Sequence, residues 1–254
     1  MPIVEVERKK QVAIVKINNP PANTLTPQVF QILEEVFSQL DQDDTKVIIL
    51  TGAGDRFFVG GADIKQFEGQ DADRADQLTR TGQNFTLSLE RTSKPIIVAV
   101  NGFCLGGGME IAMACDFVIA SETAKFGQPE IKLGVIPGWG GTQRIQRWMN
   151  PQLARELIFT GDIVTASQMG DFVYKIVPPD QLIPTAMALA ERIAQRGLVA
   201  LKYAKRALKE ATQRTLEEGL FIEAQYMRKL LETEDAKEGV RAFLEKREPK
   251  VVDK

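Results

Sequence analysis

The sequence predicts an α/β fold with a helical C-terminal part, on three observations. Short, nearly continuous apolar runs, KVIILT at Lys46–Thr51 and PIIVAV at Pro95–Val100, have the length and character of strands buried on both faces. Segments with apolar residues at helical spacing lie between them, so strand and helix alternate. From about Leu182 the strand signal fades, and helical patterns run through 183–194, 198–211, 215–233 and 235–247.

Ile3–Glu7 and Val12–Ile17 flank a charged ERKK turn and read as a hairpin. The NNPPAN cluster at Asn18–Asn23 breaks the chain. Thr26 can then cap a helix with Pro27 at its first position, and Phe30, Ile32, Leu33, Val36, Phe37 and Leu40 mark its inner face. KVIILT is followed by GAGDRFFVGGADIKQF, which reads as a loop. Asp71–Arg91 carries Leu78, Phe85, Leu87 and Leu89 at helical spacing. After PIIVAV, Gly106–Gly108 interrupt the chain, Met109–Ala114 can start a helix, and Phe117–Ala120 is another short strand.

The 254 residues include no histidine. A Ser-His-Asp or Cys-His apparatus is therefore excluded, as is a zinc site with His ligands. General acid–base chemistry must fall to Asp, Glu, Lys, Tyr or Cys. Cys104 and Cys115 are eleven apart in apolar surroundings, which suits two small core residues rather than a disulfide framework. With 34 acidic and 32 basic residues the net charge is −2, which gives no reason to expect a nucleic-acid surface. Lys202, Lys205, Arg206 and Lys209 put basic residues on one helix, and a solvated face is the ordinary expectation for them. The opening MPIVEVERKK lacks the pattern of a signal peptide, and the apolar stretch Pro95–Ala120 is interrupted by Asn101, Glu110 and Asp116, so it reads as core rather than as a membrane span. A cytoplasmic location is the expectation.

Two glycine runs follow apolar strands: Gly60-Gly61-Ala62-Asp63, and Gly106-Gly107-Gly108 at a helix start. Glycine lets a backbone approach a ligand closely, and a helix start presents free N–H groups. Two such turns could aim two N–H donors at one carbonyl oxygen, an oxyanion hole built without side chains. Neither run spells GxGxxG, and Gly138–Thr142 (GWGGT) lacks the GK[ST] ending of a phosphate loop. Each run is also compatible with a plain tight turn. Glu110 begins an otherwise apolar helix, and Glu130 lies in FGQPEIKLGVIPG. A dipole-compensating acid and a loop carboxylate are their ordinary roles. With imidazole absent, however, a Glu pair is the obvious acid–base machinery.

These residues resemble a known family. IVAVNGFCLGGGMEIAMACDF (Ile97–Phe117) is similar to the signature of the crotonase, or enoyl-CoA hydratase, superfamily. FFVGGADIKQF (Phe57–Phe67), FGQPEIKLGVIPGWGGTQR (Phe126–Arg144) and AFLEKR (Ala242–Arg247) agree with it in order. The resemblance implies a spiral of ββα units over residues 1–195 and a helical region over 196–254 that assembles homotrimers or hexamers and completes the CoA site. It implies an acyl-CoA thioester substrate, with oxyanion donors at the N–H groups of Ala62 and Gly107. Both family glutamates of the hydratases are matched, by Glu110 as base and Glu130 as acid, which implies syn addition of water to a trans-2-enoyl-CoA. No metal or redox cofactor is implied, since CoA enters as part of the substrate.

The resemblance places CoA contacts at Ala22, Arg56, Gly60, Gly61, Asp63 and Ile64, with Lys65 a further candidate for a phosphate, and at Phe243 and Lys246 from a neighbouring subunit. Trp139 stands where the family pattern IPGxGGTQR leads one to expect a small residue. It either shapes the acyl pocket or packs on the surface or against another subunit. Three alternatives stay open: a Δ3-Δ2-enoyl-CoA isomerase, a dehydratase of a branched acyl-CoA, and an RNA-binding member of the superfamily.

Overall fold

A computed structural model describes residues 2–253. Strand β1 (Val4–Lys9) and β2 (Val12–Ile17) form the expected antiparallel hairpin. Helix α1 (Pro27–Gln42) follows, and its Thr26 cap accepts the Val29 N–H at 3.2 Å. Next come β3 (Val47–Gly52), β4 (Phe57–Val59) and α2 (Ala72–Arg91), then β5 (Ile96–Val100), β6 (Phe103–Leu105) and α3 (Gly107–Met113). After β7 (Phe117–Ser121) and β8 (Lys125–Gly127) the chain makes a 3₁₀ turn at Pro129–Leu133, then α4 (Gly141–Trp148) and α5 (Pro151–Thr160). Strands β9 (Ile163–Thr165) and β10 (Lys175–Val177) lead to α6 (Leu182–Ala194), α7 (Leu198–Ala211), α8 (Leu216–Leu231) and α9 (Glu234–Leu244).

The strands make two sheets, ordered β1-β2-β3-β5-β7-β10 and β4-β6-β8-β9. Each of the pairs β3–β4, β5–β6 and β7–β8 hands one strand to each sheet, and a helix or 3₁₀ turn returns the chain. This is the spiral of ββα units. Alternation within β3 shows why its run is wholly apolar: Ile48 and Leu50 join the main core, whereas Val47 and Ile49 face a second core under α6. Helix α1 buries Val29, Phe30, Leu33, Phe37 and Leu40, the expected face with Val29 added and Ile32 and Val36 at its margin. Cys104 and Cys115 are free and buried in the main core.

The loop expectation for GAGDRFFVGGADIKQF is corrected, since Phe57–Val59 form β4. Three-residue strands are too short to show a period, and β6 and β8 escape sequence reading for the same reason. The solvated basic face is corrected for two of its four residues. Lys205 turns inward, pairing with Asp116 at 2.8 Å and donating to the carbonyl oxygens of Leu89 and Lys94. Lys209 pairs with Glu90 at 2.7 Å, and Arg206 with Glu210 at 2.9 Å. Lys205 and Lys209 thus dock α7 on the core, whereas Lys202 and Arg206 stay exposed as expected. Among the described residues no helix is long and apolar enough to cross a membrane.

Candidate active site

The two glycine runs meet. Gly61, at φ 113°, offers its carbonyl to the Leu25 N–H at 2.9 Å, and the Asp63 N–H returns to the Leu25 carbonyl at 3.1 Å. This bridge uses the groups on either side of Ala62 and leaves the Ala62 N–H out of the ladder. Gly60 donates to the Ala22 carbonyl at 2.9 Å, and a Cβ there would sit only 3.0 Å from that oxygen. Opposite, Gly106 takes φ 52° and donates to the Gly127 carbonyl at 2.9 Å as it opens α3. The Gly107 N–H lies in the first turn of α3, where no intrahelical acceptor exists. A Cβ on Gly106 would lie 3.8 Å from Gly61 Cα and 2.8 Å from Glu130 Oε1. Both backbone runs and one carboxylate therefore border the same small space.

Glu110, in the first turn of α3, is 2 % exposed. Its Oε1 accepts the N–H groups of Trp139 and Gly141, each at 2.7 Å. Burial pushes its pKa up to about 7, against the downward pull of those two amides and of Arg144. Glu130 sits in the 3₁₀ turn that ends at Gly134 in the left-handed region. Burial raises its pKa to about 7 as well, and the neighbouring charge of Glu110 pushes in the same direction. The two carboxyls, twenty residues apart in the chain, thus feel one another. With its amide turned so that nitrogen faces the carboxylate, buried Gln128 donates to both Glu130 oxygens at 3.0 and 3.1 Å.

Trp139 is 6 % exposed, so packing on the surface is not the placement found. Its indole meets Phe30 edge-on at 5.0 Å between ring centroids. Gly82 and Gly107 make room for it, since a Cβ on either would collide with the ring. With Leu25, Phe30, Ala62 and Leu78 it lines a narrow crevice beside Ala62, of about 10 Å³, room for about one water.

The remaining expected contacts divide. Arg56 is exposed and stacks on the Phe57 ring at 5.4 Å, and Ile64 and Lys65 lie exposed at the loop edge near Asp63. Phe243 is 83 % exposed at the end of α9, which packs on α8, and Lys246 follows it in the left-handed region. The structure does not bring these two to the glycine loops of their own chain. Sequence reading missed the Trp139 and Gly141 amides, Gln128 and Arg144. Backbone groups carry no residue signature, and Gln128 and Arg144 were only letters within otherwise informative blocks. Among the described residues no cluster of three or more His, Cys, Asp or Glu could hold a metal ion.

The site thus brings two glycine-rich backbone turns close to Glu130 and places a second carboxyl of raised pKa, Glu110, within its electrostatic reach. Residues 7–254 match the model of the enoyl-CoA hydratase/isomerase family. The chain is 40 % identical over 253 residues to a crotonyl-CoA hydratase of Syntrophomonas wolfei, covering 98 % of this chain and 97 % of that relative. It is 39 % identical to a short-chain-enoyl-CoA hydratase of Clostridium acetobutylicum, covering 96 % and 95 %. The crystal structure of an enoyl-CoA hydratase from Bacillus anthracis superposes with a TM-score of 0.95 at 35 % identity, covering both chains fully. The chain belongs to the enoyl-CoA hydratase/isomerase family.

Proposed function

We propose that this enoyl-CoA hydratase adds water syn across the double bond of a short trans-2-enoyl-CoA. The observation that carries the reading is the pair Glu110, buried, and Glu130, half-buried, both near neutral pKa, beside the Gly61–Gly106 junction. Ionised Glu110 takes a proton from water as it attacks the β-carbon, and protonated Glu130 delivers one to the α-carbon. The N–H groups of Ala62 and Gly107 hold the thioester oxygen, where negative charge develops. This sequence of steps calls on no metal or redox cofactor, because CoA arrives with the substrate. Arg56 and Lys65, exposed beside the loop, suit the phosphates of CoA.

In this reading Trp139 limits chain length, its indole lining the crevice beside Ala62. A panel of enoyl-CoA thioesters of increasing length, followed by loss of the conjugated absorbance, tests both points. Crotonyl-CoA is expected to be the best substrate, and a 3-enoyl-CoA to turn over slowly. Trp139→Ala should raise kcat/KM for longer enoyl-CoAs relative to crotonyl-CoA, and an unchanged length profile rejects the indole as the limit. Faster isomerisation of the 3-enoyl-CoA than hydration of crotonyl-CoA would replace hydratase by isomerase as the main activity.

Residues 196–254 serve assembly in this reading. Leu208, Leu216, Phe221 and Phe243 are 67–83 % exposed on α7–α9, a large apolar area for a lone chain. Light scattering is expected to give a trimer or hexamer, and Phe221→Glu to weaken it. A monomer at micromolar concentration contradicts the assembly.

A further inference from the structure

The two amides that hold Glu110 come from the turn at Gly138–Gly140 and from the first residue of α4, a segment that contacts from outside must hold in place. Three side chains grip it from behind. Arg144 Nη1 donates to the Trp139 carbonyl at 2.9 Å, Thr86 Oγ1 donates to the same oxygen at 2.9 Å, and Gln83 Nε2 donates to the Gly138 carbonyl at 2.8 Å. Arg144 is 7 % exposed and carries the only charge of the three. Gly140, at φ 107°, lets it come close, since a Cβ there would strike the guanidinium. The other edge of the guanidinium is held too. Arg144 Nε donates to Glu90 Oε1 at 2.6 Å, and Glu90 Oε2 pairs with Lys209 of α7 at 2.7 Å. Together these groups form a chain from the C-terminal helical region to the segment that presents its amides to Glu110.

We propose that Arg144 is the positioning residue of the hydration site. Its guanidinium holds the Trp139–Gly141 segment so that both amides converge on Glu110 Oε1, and Glu90 and Lys209 hold the guanidinium in turn. This rests on the reading of Glu110 as a catalytic carboxylate. Arg144 acts through the segment, not on substrate. Its fork is needed because one group must reach two acceptors in different directions, the Trp139 carbonyl and Glu90, which a single ammonium does less well. The charges facing Glu110 are Arg144, which favours its ionised form, and Glu130, which opposes it. Removing Arg144 therefore leaves Glu110 harder to ionise as well as less well placed.

Steady-state kinetics on crotonyl-CoA from acidic to alkaline pH test this with Arg144→Met, Arg144→Lys, Glu90→Gln and Lys209→Met in the full-length protein. Arg144→Met is expected to lose kcat on the order of 10²-fold, the scale of a slightly misplaced catalytic group, with little change in KM. Its acid limb should move to higher pH. Arg144→Lys should recover part of kcat and return the limb toward wild type. Glu90→Gln and Lys209→Met should show smaller losses in kcat, again with KM held. Wild-type kcat and an unmoved limb in Arg144→Met overturn the proposal, as does an Arg144→Lys variant with no recovery. If Arg144→Met does not fold, unchanged kcat in both Glu90→Gln and Lys209→Met overturns it instead. Glu110→Gln run alongside separates the two failures. Activity in that variant defeats the catalytic reading of Glu110, whereas an inactive Glu110→Gln beside an unimpaired Arg144→Met defeats only the role of Arg144.

Discussion

Replacing either Glu110 or Glu130 by Gln is expected to lower kcat for crotonyl-CoA by on the order of 10²–10⁴-fold, the range that a placed acid or base contributes. Gln keeps the shape and an acceptor oxygen. Glu110→Gln can still take the Trp139 and Gly141 amides, so the loss reports proton transfer rather than collapse of the segment. The pH dependence carries a sharper signature. The base must be ionised and the acid protonated, so wild-type kcat/KM should follow a bell whose limbs belong to the coupled pair. With both groups at about 7, both limbs should fall near neutrality. In a chain with no histidine such limbs cannot come from imidazole. Glu110→Gln removes the charge that helps raise Glu130, so the alkaline limb of its residual activity should move to lower pH. Near-wild-type rates in either variant would end the two-glutamate account.

Stability offers a control on the same variant. Glu110 has a folded pKa raised above its ordinary value near 4.5. Its contribution is fully present below about pH 4.5 and is lost as pH rises through about 7. At pH 8 the folded state therefore carries a buried charge that Gln does not. Glu110→Gln should melt no lower than wild type at that pH, and a lower melting temperature would trace its lost activity to structure.

Ala62→Pro is expected to lower kcat for crotonyl-CoA by on the order of 10²–10³-fold, the cost of one oxyanion donor. Proline removes the N–H and nothing else that the local ladder uses. The Leu25 bridge runs through the Gly61 carbonyl and the Asp63 N–H, both of which remain. Gly61, preceding the new proline at φ 113°, has the freedom that a residue in that position needs. The same deletion at Gly107 would be a poorer experiment, because any Cβ there strikes the Trp139 ring. Circular dichroism and KM should stay close to wild type. A folded Ala62→Pro with unreduced kcat would remove Ala62 from the oxyanion hole.

The central strands of the large sheet were legible because both of its faces are covered there, so β3 and β5 had to be nearly continuous apolar runs, whereas three-residue β10 at its edge was not. The second sheet was not, because β4, β6 and β8 have three residues each and no period can show in three. Glu110 and Glu130 stood out as carboxylates in apolar or proline-marked surroundings, and the resemblance assigned them roles. Neither reading could show that Glu130 responds to the charge of Glu110. That depends on the turn at Gly106 and the 3₁₀ turn at Pro129 folding against one another. Lys205 and Lys209 show the opposite failure. A basic helix face looks the same in sequence whether water or a carboxylate meets it, and here Asp116 and Glu90, remote in the chain, meet it.

The sequence by itself determined the α/β class, the longer strands and most of the helices with their apolar faces, the two glycine runs and the acids available in a chain without histidine. These follow from local propensity and side-chain type. Tertiary structure decided which groups share a site: Glu110 with the Trp139 and Gly141 amides, Arg144 beneath them, and Trp139 in the space left by Gly82 and Gly107. Such pairings join residues up to 57 apart in number, such as Gly82 and Trp139. They arise only when two sheets and their helices pack, because burial, not neighbourhood in the chain, sets the pKa of each carboxyl and the reach of each donor.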